Sequence, residues 1–277
     1  MLAGAESYML HLTASWGDKG KRADIAIQKP YQEHRKGKPK PKYLSFTKNW
    51  MHTARKGIMH EDQEADDGLC QALHNAKDKD LAVITSKDKD LCMCTGWQMD
   101  WETGDLEYVN GFGYINLDAS GLAKKITGKG TKFFWAQMLM GDVADNIAGL
   151  PVLLGKHMNK YKPTKAIIKA REVLGDFNAT DIQTKKAIQV LEERKNSTCG
   201  AVTAYNILKD TPNDLEAARI VQQLYKDVGE QLGYKHHKTG EDVDYLDVFF
   251  SEAKLLWMRR KPSETDFNDF LMGLSDA

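Results

Sequence analysis

No apolar run in this chain of 277 residues approaches the roughly 18 that a membrane-spanning helix needs. The stretch from Met1 to Glu6 lacks both the basic n-region and the long apolar core of a signal peptide, so the expected compartment is the cytoplasm and no membrane partner is expected. Cysteine is scarce. Cys70, Cys92, Cys94 and Cys199 have no paired Cys-x-x-Cys or His spacing, which sets aside a zinc site or a disulfide framework and leaves reduced thiols. Net charge is missing as well, with 39 Lys and Arg against 39 Asp and Glu. There is no internal repeat, and no low-complexity tract beyond one basic loop.

Apolar residues make up 42% of the chain, enough for real cores, and the length suggests about two domains. The charges are segregated. From Lys19 to Lys56 there are twelve Lys or Arg against two acids, Asp24 and Glu33, whereas Glu61 to Asp67 holds five acids and no base. A basic arm beside an acidic cluster suits a metal-dependent enzyme acting on a polyanion, although a basic stretch alone reads equally as a solvated loop. Lys36, Lys38, Lys40 and Lys42, broken by Gly37, Pro39 and Pro41, form a loop that regular helix cannot accommodate.

Residues 8–13 and 81–85 read as short buried strands, with plausible helices at 44–56 and 65–76 between them. Strand, helix, strand in this rhythm predicts a parallel α/β sheet with ligands at the carboxyl ends of its strands. Residues 97–114 read as a hairpin or edge excursion. Helical spacing then recurs at 165–174, 182–194, 202–208, 215–232 and 245–258, so the second half is expected to be helical.

Acids recur where such a sheet would gather them. Gly141-Asp142-Val143-Ala144-Asp145-Asn146-Ile147-Ala148-Gly149 places two carboxylates three residues apart in a Gly-rich turn after the aromatic run 133–140. Glu64, Asp66 and Asp67 open a helix in EADD, Asp88 and Asp90 follow the second strand in SKDKD, and Asp18 follows the first. Crowded carboxylates push one another toward protonation unless cations compensate. Oxygen-only ligands point to magnesium or manganese ahead of zinc, and two such ions about 4 Å apart clamp a scissile phosphate. Each piece alone has a plain reading: EADD as a helix N-terminus, SKDKD as a solvated turn, GDKGK around Asp18 as an ordinary turn.

In this order and spacing, EADD, SKDKDL and GDVADNIAGL resemble the 5′-nuclease family of flap endonucleases, polymerase-associated 5′-nucleases and bacteriophage 5′-3′ exonucleases. The resemblance implies a PIN-like parallel sheet flanked by helices. It also implies a two-metal site (two Mg2+, with Mn2+ as substitute) in which Glu64, Asp66, Asp67, Asp88, Asp90, Asp142 and Asp145 bind the ions and Asp18 supports the first. Tyr31-Gln32-Glu33-His34-Arg35-Lys36 is similar to the family's Tyr-Lys-x-x-Arg segment leading into a helical arch, and Arg22 to its upstream arginine. Arg22, Tyr31 and Arg35 are therefore expected to handle the scissile phosphate or flap. Downstream, Gly149-Leu150-Pro151 and Cys199-Gly200-Ala201-Val202-Thr203-Ala204-Tyr205 resemble the two halves of a helix-hairpin-helix element, with Gly149, Gly200 and Thr203 at the DNA backbone. The segment 152–198, with ten Lys or Arg against five acids, would be an insertion that, with Lys36 to Lys42, binds strand backbone.

The resemblance thus divides the chain into a nuclease core with a basic arch at 1–140, an interrupted helix-hairpin-helix region at 141–210 with its helical insertion, and a helical region at 211–277. It implies hydrolysis of DNA bearing a 5′ end or flap in phage replication or DNA degradation, in the host cytoplasm. A replication polymerase or a separately encoded N-terminal piece would be a partner. Two departures stand out. The family's first strand, with its metal-binding aspartate, has no counterpart before Tyr8, so the chain reads as N-terminally truncated. Gln32 stands where the family has a lysine, with Lys29 and Lys36 as candidate substitutes. A DNA-binding homologue without turnover and a PIN-like ribonuclease are the rival readings.

Overall fold

The computed structural model describes residues 4–78 and 81–275. It is a mixed α/β structure in which helices predominate. Strand β1 (His11–Thr13) pairs in parallel with β2 (Ile58–His60). A second sheet joins β3 (Val83–Thr85) in parallel to β4 (Gly96–Met99), which pairs antiparallel with β5 (Leu106–Val109). Two hairpins follow, β6 (Tyr114–Asp118) with β7 (Lys125–Lys129) and, much later, β8 (Tyr234–Lys235) with β9 (Asp242–Val243).

The single parallel sheet expected from the sequence is therefore replaced, among the described residues, by small separate sheets containing two parallel pairs. Each parallel ladder is only three residues long, and among the described residues no backbone pairing joins β1 or β2 to β3. What links the two parallel pairs is helix α3 (Ala65–His74), which packs on β1, β2 and β3. The expected excursion at 97–114 is the β4–β5 hairpin, whereas the β6–β7 hairpin was not legible in the apolar pattern.

A short helix α1 (Arg22–Ile25) and the exposed helix α2 (Leu44–Ala54) lie between β1 and β2. The molecular centre is α4 (Thr131–Met140), buried at every position from Thr131 to Leu139. A mostly apolar helix with no polar face needs cover on all sides. Helices α8 (Ala201–Leu208), α9 (Asp214–Leu232) and α10 (Tyr245–Leu256), with the β6–β7 hairpin, provide it. Phe134 meets Trp135, Trp257 and Phe267 of α11 (Asp266–Gly273) in edge-on or tilted ring contacts, so one aromatic cluster fixes the C-terminal helices to α4.

Residues 152–198 form a lobe of α5 (Gly155–Tyr161), α6 (Lys165–Gly175) and α7 (Asp181–Glu192), the last two packed on each other. Leu153 and Ser197 close its base, Leu153 N donating to Ser197 O at 2.7 Å and Ser197 N to Leu153 O at 3.0 Å. The lobe leaves and rejoins the chain at adjacent points. No helix among the described residues is long and apolar enough to cross a membrane.

Candidate metal centre

The centre is built on the turn that ends α4. Gly141 and Gly149 have φ of +71° and +63°, in the left-handed region, and they lie against each other. A Cβ on Gly149 would strike the Gly141 amide, and one on Gly141 the carbonyls of Ile147 and Ala148. Between them, Asp142 N donates to Ile147 O at 2.9 Å and Ile147 N to Asp142 O at 2.8 Å. Asn146 reaches out of the loop to donate to Pro30 O at 2.8 Å. The loop is held from behind by Glu252 of α10, whose Oε2 accepts from Gly149 N at 2.8 Å. Burial pushes the Glu252 carboxyl up to about 7 against the opposing pull of Gly149 N–H and Gln28.

In front of this turn lies a cavity of about 370 Å3 lined by the carboxylates Glu64, Asp66, Asp88, Asp90, Asp142 and Asp145. Asp90, Asp142 and Asp145 each offer an oxygen within 4.8 Å of the others. The ammonium of Lys89 donates to Asp90 Oδ1 and Asp142 Oδ2, both at 2.8 Å. Gln137 of α4 donates to the same Asp90 oxygen at 2.6 Å, and Ala144 N to Asp142 Oδ1 at 2.8 Å. Burial raises the Asp90 carboxyl above its ordinary value despite Lys89 and Gln137. The tight connection between β3 and β4 is what places Asp88 and Asp90 here: Asp88 caps its 3-10 turn by accepting from Asp90 N at 2.9 Å.

The opposite wall is organised by two residues upstream. Arg22, only 1% exposed, donates to Glu64 Oε2 at 2.9 Å and to both oxygens of Asp67 at 2.9 and 3.0 Å. Burial works against its charge, but Asp67 and Glu64 outweigh it and hold the guanidinium above its ordinary value. The Tyr31 hydroxyl lies 3.0 Å from Glu64 Oε2 and 3.2 Å from Asp145 Oδ2, and burial with Glu64 beside it holds the phenol protonated. Gln32 donates to Tyr31 Oη at 3.0 Å and to Asp145 Oδ1 at 2.9 Å. Asp66 differs from these. Burial pushes its carboxyl up to about 7, and the charges acting on it most strongly, Asp88, Glu64, Asp67 and Asp90, are all negative.

Of the residues singled out by sequence, Glu64, Asp66, Asp88, Asp90, Asp142, Asp145, Tyr31 and Arg35 share the cavity wall. Arg35, half-exposed, pairs with Asp145 Oδ1 at 2.7 Å. Asp67 and Arg22 stand behind the wall, bound to each other, so Arg22 positions carboxylates and has no free face for a phosphate. Asp18 does not line the cavity: it accepts from Gly20 N at 2.8 Å, the ordinary turn that GDKGK also suggested. Asp67 likewise accepts from Glu64 N at 3.3 Å, so the helix-start reading of EADD holds alongside the cavity.

Lys36, Lys38, Lys40 and Lys42 are exposed on the loop ahead of α2. Gly149 is buried and its amide is taken by Glu252, so it presents no N–H to DNA. Gly200 is exposed at the start of α8, and Thr203 is buried within that helix. Lys29 and Lys36 are both exposed; the ammonium that meets Gln32 belongs to Lys19, which donates to Gln32 Oε1 at 2.7 Å and lies 3.6 Å from Glu64. Sequence reasoning missed Lys89, Lys19 and Glu252. The first was visible inside SKDKD as an alternation of cation and anion, while Glu252 gave no local signal.

The donor set fits a hard divalent ion. Three oxygens converge, the Lys89 ammonium already bridges Asp90 and Asp142, and Asp66 has only anions as its strongest neighbours. Compared with family models, curated proteins and solved structures, the chain matches none.

Proposed function

We propose that this chain is a metal-dependent nuclease of the 5′-nuclease type, hydrolysing DNA phosphodiesters at a 5′ end or flap. The observation that carries the reading is the convergence of Asp90, Asp142 and Asp145 within 4.8 Å on a wall shared with Glu64, Asp66 and Asp88. Two sequence-distant motifs and the EADD helix start meet there, and no demand of stability explains gathering six acids around a cavity. The two parallel strand pairs joined by α3 are in keeping with a PIN-like core. Closure of the lobe between Leu153 and Ser197 is in keeping with a helix-hairpin-helix element split by an insertion.

In the reaction, a water oxygen bonds to phosphorus and the P–O3′ bond breaks. The attacking water gives up a proton, and the leaving 3′ oxygen takes one up as a hydroxyl. Magnesium, when bound, would neutralise charge on the phosphate and favour the ionised water. Asp88, Asp90, Asp142 and Asp145 would hold one ion, and Glu64 and Asp66 the other. Tyr31 orients Glu64 and Asp145 from the cavity wall, and Arg35 offers a guanidinium at the solvent side of Asp145.

The test is magnesium-dependent cleavage of end-labelled DNA flaps, blunt duplexes and matched RNA. Faster cleavage of DNA than RNA is expected, with 5′-terminal products. Equal activity of an Asp142→Ala, Asp145→Ala double variant would defeat the assignment. One observation favours a second reading, a DNA-binding protein without turnover: Arg22 already engages Glu64 and Asp67, so the first ion has fewer free ligands. Tight duplex binding with no cleavage in either magnesium or manganese would decide for it.

A further inference from the structure

A second cavity, of about 390 Å3, opens where the 152–198 lobe meets Gln231 of α9. Arg171 and Arg194 line it with Lys156, Asn159 and Asn196. Lys156 is paired with Asp227 at 3.1 Å, but neither arginine has a carboxylate partner among the described residues. Each guanidinium is instead steadied by a main-chain oxygen: Arg171 Nη2 donates to Asn159 O at 2.8 Å, and Arg194 Nη2 reaches Lys162 O at 3.4 Å. Asn159 is 6% exposed and donates to Leu191 O at 2.8 Å. The Nε of Arg194, shut off from solvent, has no hydrogen-bond partner among the described residues. The acid on the same wall, Glu192, is exposed and forms no ion pair among the described residues.

Two uncompensated guanidiniums anchored beside one cavity are a receptor for a doubly acceptor-rich anion, because the planar fork binds paired oxygens of phosphate. The cavity also has a defined reach. Gly155 on its wall is six residues beyond Gly149, so the chain confines the separation of these two points to roughly 20 Å, about six base-pair steps.

We propose that Arg171 and Arg194 form a phosphate-binding site that grips the backbone of duplex DNA away from the cleavage centre. This rests on the nuclease reading for its choice of polyanion. The grip would set how much duplex must lie beyond the scissile bond, and the lobe would act as a ruler rather than as part of the chemistry.

The experiment is fluorescence anisotropy of a labelled flapped duplex with the full chain in EDTA, across a series of sodium chloride concentrations. It compares the natural protein with Arg171→Gln, Arg194→Gln and with Arg171→Lys, Arg194→Lys double variants, thermal unfolding serving as the check of fold. The Gln variant should bind about tenfold more weakly and lose about one from the slope of log affinity against log salt, while the Lys variant keeps most of that slope. An unchanged slope in a folded Gln variant overturns the proposal, as does failure of the natural protein to bind the duplex. A parallel thermal-shift titration uses inorganic phosphate and a nucleoside 5′-monophosphate. Stabilisation by either that the Gln variant abolishes, with duplex binding untouched, would assign the cavity to a free anion and overturn the duplex assignment. If the natural protein binds duplex through these arginines but cleaves nothing in magnesium or manganese, the nuclease reading fails and the grip stands.

Discussion

Arg22 is the residue on which the wall of the first carboxylate group depends. It is a buried cation satisfying two carboxylates, and truncating one partner of such an arrangement leaves an uncompensated charge. Arg22→Ala is therefore expected to lower unfolding free energy by about 3–5 kcal/mol in urea titrations, and a loss below about 1 kcal/mol would show the pair to be dispensable. Lys89 would compete with the proposed metal. Its ammonium occupies oxygens of Asp90 and Asp142 that a divalent ion would need, at a pair still partly open to solvent. Removing it as Lys89→Met should tighten manganese binding by about fivefold, the worth of roughly 1 kcal/mol; weaker binding in calorimetry would instead make Lys89 a support of the site.

Glu252 supplies the pH dependence. Its folded carboxyl is raised to about 7, above the value in an unfolded chain, so its contribution is complete in acid and is lost as pH rises through about 7. Relative to the natural protein, Glu252→Gln should gain on the order of 3 kcal/mol of stability between pH 4.5 and pH 8. A difference that stays constant across that range would mean Glu252 is ionised in the fold.

At the scale of elements, the decisive unit is the turn from Gly141 to Gly149. Ala at Gly149 meets both an unfavourable positive φ, worth about 1–2 kcal/mol, and the backbone of Gly141. The Gly149→Ala variant should lose at least that much stability, together with metal affinity, because Asp142 and Asp145 ride on the displaced loop. A normal melting temperature and normal manganese binding would mean the turn relaxes at no cost. This turn was legible in the sequence because glycines and acids repeat within nine residues. Helices α6 to α10 were legible too, since their apolar stripes recur at helical spacing over eight or more residues. The sheets were not: strands of two to five residues are too short for alternation to reveal pairing, and register depends on partners far along the chain. The same distance hid Glu252, 103 residues from the amide it holds, and the true posture of Arg22, whose partners Glu64 and Asp67 lie 42 and 45 residues away.

Across the whole molecule, the all-buried α4 divides two tasks. Its C-terminal end delivers the turn that carries Asp142 and Asp145, and beyond that turn the chain departs into a lobe whose ends are bridged at Leu153 and Ser197. Because those ends are already adjacent, replacing residues 155–195 by a short Gly-Ser linker should leave a folded protein that still cleaves short substrates but holds long duplex less tightly. Loss of the cooperative thermal transition in that variant would show that the lobe is integral to the core. All of this turns on whether the six-carboxylate cavity is a metal centre. The most direct measurement is a count of bound manganese by electron paramagnetic resonance on the natural protein and on the Asp142→Ala, Asp145→Ala variant. Two bound ions, falling to one in the folded variant, are the predicted result; no binding at millimolar manganese, or a count that the double substitution leaves unchanged, would contradict it.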